Sequence, residues 1–186
     1  MRLNGNQIRP GMVLEHQGKL WRVVKISHTQ PGKGGAYTQA EMRDIVSGTK
    51  TNERFRSSET VERAVLEQKP MQYLYDDGTM LNFMDTTTFE QVAIPRDLLG
   101  EQIDWLSENM DVTIEFHEGN PIGVELPEKI TMKVVEADAV VKGQTASSSY
   151  KSAKLENGRD ILVPQFLEAG QDIIVSTADG SYVERA

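Results

Sequence analysis

The stretch LWRVVKISHTQPGKGGAYTQAEMRDIV, residues 20–46, decides the fold of the N-terminal part of the chain. It contains two runs with the character of β-strands, Leu20–Ile26 and Tyr37–Val46. In the second run the residues that should share one face are Thr38, Ala40, Met42, Asp44 and Val46. The glycine-rich segment Pro31–Ala36 lies between the two runs. The stretch therefore predicts a pair of strands joined by a slim loop.

Turn signals recur through the rest of the chain and favour short strands. The flanked dipeptides are Gln17-Gly18, Ser47-Gly48, Asp77-Gly78, Gly119-Asn120, Asn157-Gly158 and Asp179-Gly180. Such dipeptides supply the positive φ that tight hairpins need. Many short strands at this spacing indicate sandwiches or small barrels. A single helical region is expected over residues 95–107, where Pro95 opens the helix and Gly100 breaks it into two short pieces.

The distribution of charge divides the chain into three parts. Residues 1–63 hold 11 Lys and Arg against 6 Asp and Glu, residues 64–127 hold 2 against 13, and residues 128–186 hold 7 against 9. The balance reverses near residue 63, and Pro127 separates two strand runs. We therefore predict three small β domains, 1–63, 64–127 and 128–186. A basic first third suits an anionic partner, whereas the acidic middle third suggests a surface with a different role.

Composition excludes several classes of function. The chain has 186 residues and no cysteine, so it has no disulfide and no thiolate nucleophile. No apolar run approaches the ~18 residues that cross a bilayer, and the N-terminus lacks a secretory stretch, which favours the cytoplasm. His16, His28 and His117 lie far apart without metal-ligand spacing. We expect no metal, no cofactor and no membrane partner.

Lys33 is the candidate functional residue of the glycine-rich loop. Gly32 and Gly34 flank it, so the loop is thin and carries one long cation that could reach a narrow cavity lined with phosphates. An ordinary hairpin loop with a solubilising lysine is an equally simple interpretation of the segment alone. A phosphate-binding P-loop is rejected, because Ser27 stands where the first glycine should be and Gly34 where Ser or Thr should follow. A Schiff-base lysine would need a desolvating pocket, which this loop does not offer.

Three sets of residues resemble the bacterial elongation factor P family. The loop Pro31-Gly32-Lys33-Gly34 matches the family's PGKG loop. The middle of the chain matches at Tyr73–Gly78, Phe83-Met84 and Phe89–Gln91. The family signature of the last third is met at every defined position: Lys151, Ala153, Gly158, Ile161, Val163, Pro164, Leu167 and Gly170. The resemblance covers essentially the whole chain.

This resemblance implies a fold and a function. The fold is all-β, with an SH3-like, KOW-type first domain and two OB-type barrels in an L-shaped, tRNA-like arrangement. The family is a non-enzymatic translation elongation factor that binds the ribosome between the P and E sites. It steadies P-site tRNA and relieves stalling at consecutive prolines. The expected partners are the ribosome, P-site tRNA and an enzyme that modifies the loop lysine, and the expected state is a monomer. The alternatives are a paralogous elongation-factor-P-like protein with other clients and a generic OB-fold RNA-binding protein.

The resemblance and the charge pattern together give the candidate site residues. The peptidyl-transferase-centre loop with its modification site is Pro31, Gly32, Lys33, Gly34 and Gly35. The possible RNA contacts are Arg54, Arg56, Gly143, Gln144, Thr145, Tyr182 and Arg185. Gln144 stands where many relatives have an aspartate, which leaves a contact to mRNA open. Tyr182 and Arg185 are equally consistent with a core tyrosine and a solvated arginine of the last strand. No residue is expected to be catalytic.

Overall fold

The first sheet is built around residues 20–46. The computed structural model describes residues 1–139 and 150–186. The strands of this sheet are β1 (Arg2–Asn4), β2 (Val13–His16), β3 (Lys19–Thr29), β4 (Tyr37–Asp44), β5 (Lys50–Arg56) and β6 (Thr60–Arg63). They are ordered β1-β6-β2-β3-β4-β5. Alternate side chains of these strands, together with Ile8 from the segment before β2, form one core cluster: Leu3, Ile8, Leu14, Trp21, Val23, Ala40, Met42, Phe55 and Val61.

Strand β4 alternates as expected, with one correction at its end. Its buried residues are Thr38, Ala40, Met42 and Asp44. Val46 was expected on the same face, but that expectation was wrong, because β4 ends at Asp44 and Val46 is 94% exposed. One oxygen of the Asp44 carboxylate accepts hydrogen bonds from the backbone N–H groups of Val46 at 2.8 Å and Ser47 at 3.3 Å. This side-chain bonding of the following backbone turns the chain before Val46 can continue the strand.

A bulge in β3 changes which side chains face outward. Val23 lies opposite Met42, whereas Lys25 lies opposite Glu41, so two residues of β3 advance for one residue of β4. Val24 occupies the irregular position between them and is exposed. Strict alternation would place Lys25 on the side of the buried Val23, but the extra residue moves Lys25 to the outer face.

Two further sheets follow. The strands of the second are β7 (Glu67–Asp76), β8 (Met80–Asp85), β9 (Gln91–Pro95), β10 (Asp111–His117) and β11 (Asn120–Glu125), in the order β11-β10-β7-β8-β9. The strands of the third are β12 (Lys129–Ala137), β13 (Tyr150–Leu155), β14 (Asp160–Pro164), β15 (Asp172–Ser176) and β16 (Tyr182–Arg185), in the order β14-β13-β12-β15-β16. By Cα proximity the chain divides into two compact units, Met1–Lys69 with Ile114–Gly123 and Pro70–Thr113 with Val124–Ala186. The domain boundaries after residues 63 and 127 stay a prediction.

Helical structure is confined to short 3₁₀ turns among the described residues. One turn spans Gly5–Gln7, and the other two, Arg96–Leu98 and Gly100–Trp105, lie in the region expected to be helical. Leu99 lies between these two, and Gly100 begins the second with a φ of 56°, which confirms its expected role as a break. No helix in residues 1–139 or 150–186 has the length and hydrophobicity of a membrane span. The prediction of an all-β protein is confirmed.

The turn signals act through backbone conformation. Gln17 and Gly18 both have positive φ, 52° and 75°, which fits the two-residue hairpin between β2 and β3. The turn expected at Gly119-Asn120 lies one residue earlier, because Glu118 and Gly119 have φ of 50° and 81° and Asn120 begins β11. Glu118 and Gly119 therefore have the same pair of positive φ angles as Gln17 and Gly18 in the first hairpin.

The signature residues of the last third are structural. Ala153, Val163 and Leu167 are buried in the core of the third sheet. Gly158 and Gly170 have φ of 87° and 92°, a conformation that favours glycine. Five of the eight signature positions are therefore core or turn positions.

Candidate nucleic-acid interface

The loop that carries Lys33 extends from the β3–β4 hairpin. Thr29 and Tyr37 form the last cross-strand pair, so residues 30–36 lie beyond the ladder. Lys33 is exposed, and no carboxylate of the described residues lies within 4.0 Å of its ammonium group. Gly34 has a φ of 103°. A Cβ added to Gly32 or Gly35 would meet no atom within 4 Å. The loop is therefore slim at every glycine, but only Gly34 needs the left-handed backbone region.

The base of the loop is fixed by contacts of its flanking residues. The Thr38 hydroxyl and the His28 Nδ1 are 3.0 Å apart, and Thr38 is fully buried. The backbone N–H of Ser57 donates to the carbonyl of Ala36 at 3.0 Å, which ties the end of the loop to the turn after β5. The loop is thus anchored on both sides close to its ends, and its tip extends beyond the sheet.

A basic face leads along the sheet toward this loop. The outer residues of β4 lie opposite outer residues of β3 and β5 in cross-strand rows. One row is Arg22, Arg43 and Lys50, and the rows nearer the loop include Lys25, Arg54 and Arg56. We call Lys25, Arg43, Arg54 and Arg56 the basic face. Like charges side by side on a sheet reduce stability, so this arrangement suits a surface that meets an anionic partner.

The cations of the basic face have no acidic partner among the described residues, unlike several cations elsewhere in this part of the chain. For Lys25, Arg43, Arg54 and Arg56, no carboxylate oxygen of the described residues lies within 4.0 Å of the side-chain nitrogens. Several cations elsewhere are paired: Lys50 with Glu41 at 3.6 Å, Lys19 with Asp44 at 3.6 Å, Arg22 with Glu115 at 3.2 Å and Arg159 with Asp104 at 2.9 Å. The four cations of the basic face therefore form no ion pair within the described residues.

Arg54 has a second distinguishing contact. Its guanidinium carbon lies over the ring of Tyr37, 4.2 Å from the ring centroid. Tyr37 is half-buried beside the last cross-strand pair of the hairpin, and Arg54 is exposed. Sequence reasoning found Arg54 and Arg56 but missed Lys25, Arg43 and Tyr37. The period-two pattern of β4 and β5 could have revealed Arg43 and Tyr37, whereas the bulge in β3 concealed Lys25.

The candidates in the last third are less closely grouped. Gly143, Gln144 and Thr145 lie outside the described residues. In β16, Tyr182 is half-buried opposite Val175, and Arg185 is exposed. The Arg185 guanidinium lies 5.2 Å from the centroid of the Phe166 ring, which is itself exposed. These two residues belong to a different compact unit from Lys33 and the basic face.

The histidines do not form a metal site among the described residues. His16 approaches Glu53 at 3.8 Å, and His117 approaches Glu15 at 3.4 Å. His28 faces Thr38. In the described parts of the chain no three His, Asp or Glu side chains are placed to hold one metal ion.

Comparison with known proteins gives the family. Sequence models match residues 4–61 as the elongation factor P KOW-like domain, residues 66–124 as the elongation factor P OB domain and residues 130–185 as the elongation factor P C-terminal domain. The chain belongs to the elongation factor P family. The matches confirm the expected fold class and identify a translation elongation factor.

Individual relatives support this assignment. The chain is 57% identical to the elongation factor P of Rhodospirillum rubrum and 56% identical to that of Zymomonas mobilis, in both cases over 186 residues and 100% of each chain. It is also similar to the solved structure of a eukaryotic translation initiation factor 5A from Methanococcus jannaschii, with a TM-score of 0.56 and 25% identity. That similarity covers 65% of this chain and 90% of the other.

Proposed function

We propose that this elongation factor binds the ribosome between the P and E sites and promotes peptide-bond formation at consecutive prolines. The observation that carries the proposal is the basic face, whose cations have no acidic partner among residues 1–139 and 150–186 and which leads to the Lys33 loop. The sheet supplies a rigid surface for RNA phosphates, and the loop supplies one long, exposed cation. The family relationship supports the same function.

The loop suits a narrow site lined with RNA. Lysine is a compact charge on a flexible stem, so it can adjust to phosphates that approach from several directions. With glycines on both sides, no neighbouring side chain restricts how deeply the lysine enters. We propose that Lys33 reaches the peptidyl-transferase centre and contacts the acceptor end of P-site tRNA. Modification of the amine by a dedicated enzyme would lengthen this reach.

The proposed mechanism is positional and not enzymatic. Proline reacts slowly because its ring restricts the geometry of attack. A protein that holds the tRNA end in place lowers the entropic part of the barrier without taking part in bond chemistry. The surroundings of Lys33 agree with this, because no carboxylate of the described residues lies within 4.0 Å to act as its base.

The remaining parts of the proposal concern partners and location. We propose three domains, with Tyr182, Arg185 and the segment Gly143–Thr145 as contacts to RNA near the small subunit. Arg185 is accessible for such a contact because it is exposed. The factor is proposed to act as a monomer in the cytoplasm.

The test of the proposal is translation in vitro with variants of Lys33. Lys33→Ala should remove most rescue of a reporter with three consecutive prolines and leave a proline-free reporter unaffected. Thermal melts should agree with wild type, because exposed substitutions typically change stability by less than ~0.5 kcal/mol. Lys33→Arg keeps the charge but blocks amine modification, so its failure together with an added mass on native Lys33 would support the modification. Lys50→Ala is the control, since Lys50 is already paired with Glu41. Full rescue by Lys33→Ala would contradict the mechanism.

A further inference from the structure

We infer that Arg54 and Tyr37 form a stacking platform for an unpaired nucleobase of RNA at the base of the Lys33 loop. The inference rests on the proposed function, because it requires an RNA partner at the basic face. It adds a contact to a base, whereas the rest of the face is suited to phosphates. The ligand class is therefore a single-stranded or unpaired nucleotide.

The sheet register builds the platform. Tyr37 lies opposite Arg56, and the neighbouring outer residue of β4, Gln39, lies opposite Arg54. Arg54 is thus the diagonal neighbour of Tyr37 on the same face, a separation that long side chains and aromatic rings can bridge. The guanidinium carbon lies 4.2 Å from the ring centroid. This contact restricts a side chain that would otherwise sample many rotamers.

The contacts of Arg54 leave it available to a ligand. No side-chain hydrogen bond or ion pair of Arg54 occurs within the described residues. Arg159 provides the contrast: it lies over Trp105 at 4.8 Å but also donates from Nε to Asp104 at 2.9 Å, so internal contacts occupy it. Arg54 has the ring contact without the internal partners. One side of its guanidinium is covered by Tyr37, and the exposed side can receive another flat group.

The chemistry of the pair favours a base over a phosphate alone. A guanidinium is planar, weakly hydrated and able to stack, whereas an ammonium is a strongly hydrated point charge. Unpaired bases present their flat faces to aromatic rings and to arginine planes, and paired bases do not. Lys25 and Arg56 on the same face provide charge for the backbone that flanks such a base. Arg54 stacked on Tyr37, with Lys25 and Arg56 on the same face, therefore fits a nucleotide whose base is not paired with another base.

The experiment measures binding of the full-length factor to ribosomes that carry P-site tRNA. The variants are Arg54→Lys, which keeps the charge and loses the plane, and Arg54→Gln, which loses both. Tyr37→Phe keeps the ring, and Tyr37→Leu removes it. Arg2→Lys is the control, because Arg2 is an exposed arginine outside the basic face. Thermal melts establish that each variant folds.

We expect Arg54→Lys to bind at least about 5-fold more weakly than wild type, as loss of one stacked base predicts. The slope of log binding constant against log salt should be the same for Arg54→Lys as for wild type, because the positive charge remains. Tyr37→Phe and Arg2→Lys should bind like wild type, and Tyr37→Leu should lose as much as Arg54→Lys. Combining Tyr37→Leu with Arg54→Lys should cost little more than either change, because both remove one platform.

Two results would overturn the inference in distinguishable ways. If wild type binds and Arg54→Lys binds equally well, Arg54 acts as a point charge, and the platform fails while the proposed function stands. If wild type does not bind ribosomes at all, the proposed function fails and the platform with it.

Discussion

The number of uncompensated cations at the interface predicts how strongly salt weakens ribosome binding. The relevant side chains are Lys33, Lys25, Arg43 and Arg56, since Arg54 is assigned to a base, and none of the four has an acidic partner within 4.0 Å among the described residues. Each cation that contacts a phosphate displaces a condensed counterion from the RNA. Replacing one of them with a neutral residue should therefore reduce the slope of log binding constant against log salt by the amount that belongs to one phosphate contact.

The structure allows the magnitude to be worked out. If these four cations contact phosphates, the logarithm of the binding constant should fall against the logarithm of salt with a slope of about −2.8 to −3.6. Raising monovalent salt from about 50 to about 200 mM should then weaken binding by about 50- to 150-fold. Arg43→Gln should make the slope shallower by about 0.7 to 0.9, and the same change should follow from Arg56→Gln.

The assay is equilibrium binding to ribosomes with P-site tRNA across a salt titration. Lys50→Gln removes the same formal charge from the same face, but Lys50 is already paired with Glu41 at 3.6 Å. Its effect on the slope should therefore be clearly smaller. A wild-type slope shallower than about −2 would refute a phosphate-dominated interface. Equal slope changes for Lys50→Gln and Arg43→Gln would refute the role assigned to unpaired charge.

Two further predictions concern backbone geometry and pH. Gly34→Ala should impair rescue of the proline reporter more than Gly35→Ala, because Gly34 has a φ of 103° and an added Cβ there costs about 1–2 kcal/mol in the loop's present conformation. Equal rescue by the two variants would show that the loop conformation is unimportant. At Asp44, burial alone would raise the pKa of the carboxyl, but the N–H groups of Val46 and Ser47, the Ser47 hydroxyl and Lys19 together hold the pKa below its ordinary 3.8. The carboxylate therefore stabilises the fold at neutral pH, and this contribution is lost as pH falls below 3.8. Buried β4 amides should exchange hydrogen faster in Asp44→Asn than in wild type at pH 7. The difference in protection between the two proteins should shrink in acid. A constant difference across pH would contradict this explanation.

Much of the fold follows from local rules that the sequence displays directly. Alternation in β4 is visible because side chains of a strand point to opposite faces in turn. Turn positions are visible because glycine marks positive φ, as at Gly18 and Gly158. The interruption of helical structure at Gly100 follows from the same property. The tip position of Lys33 is likewise local, because glycines flank it between two strands.

The candidate interface depends on contacts that the sequence does not display. Lys25, Arg43 and Arg54 are far apart in the chain and share a face only because β3, β4 and β5 are neighbours in one register. Whether a cation is paired with an acid is also a tertiary property, as the Lys50–Glu41 ion pair across neighbouring strands shows.

The sequence by itself determined the all-β class, the turns and the lysine-tipped loop, since each depends on the conformational preferences of a few adjacent residues. Only the tertiary structure decided which side of the sheet is basic. The bulge at Val24 turned Lys25 outward, and the β4–β5 register placed Arg54 over Tyr37. A bulge and a register are fixed by pairing across the whole sheet, where a shift of one residue moves every side chain to the opposite face.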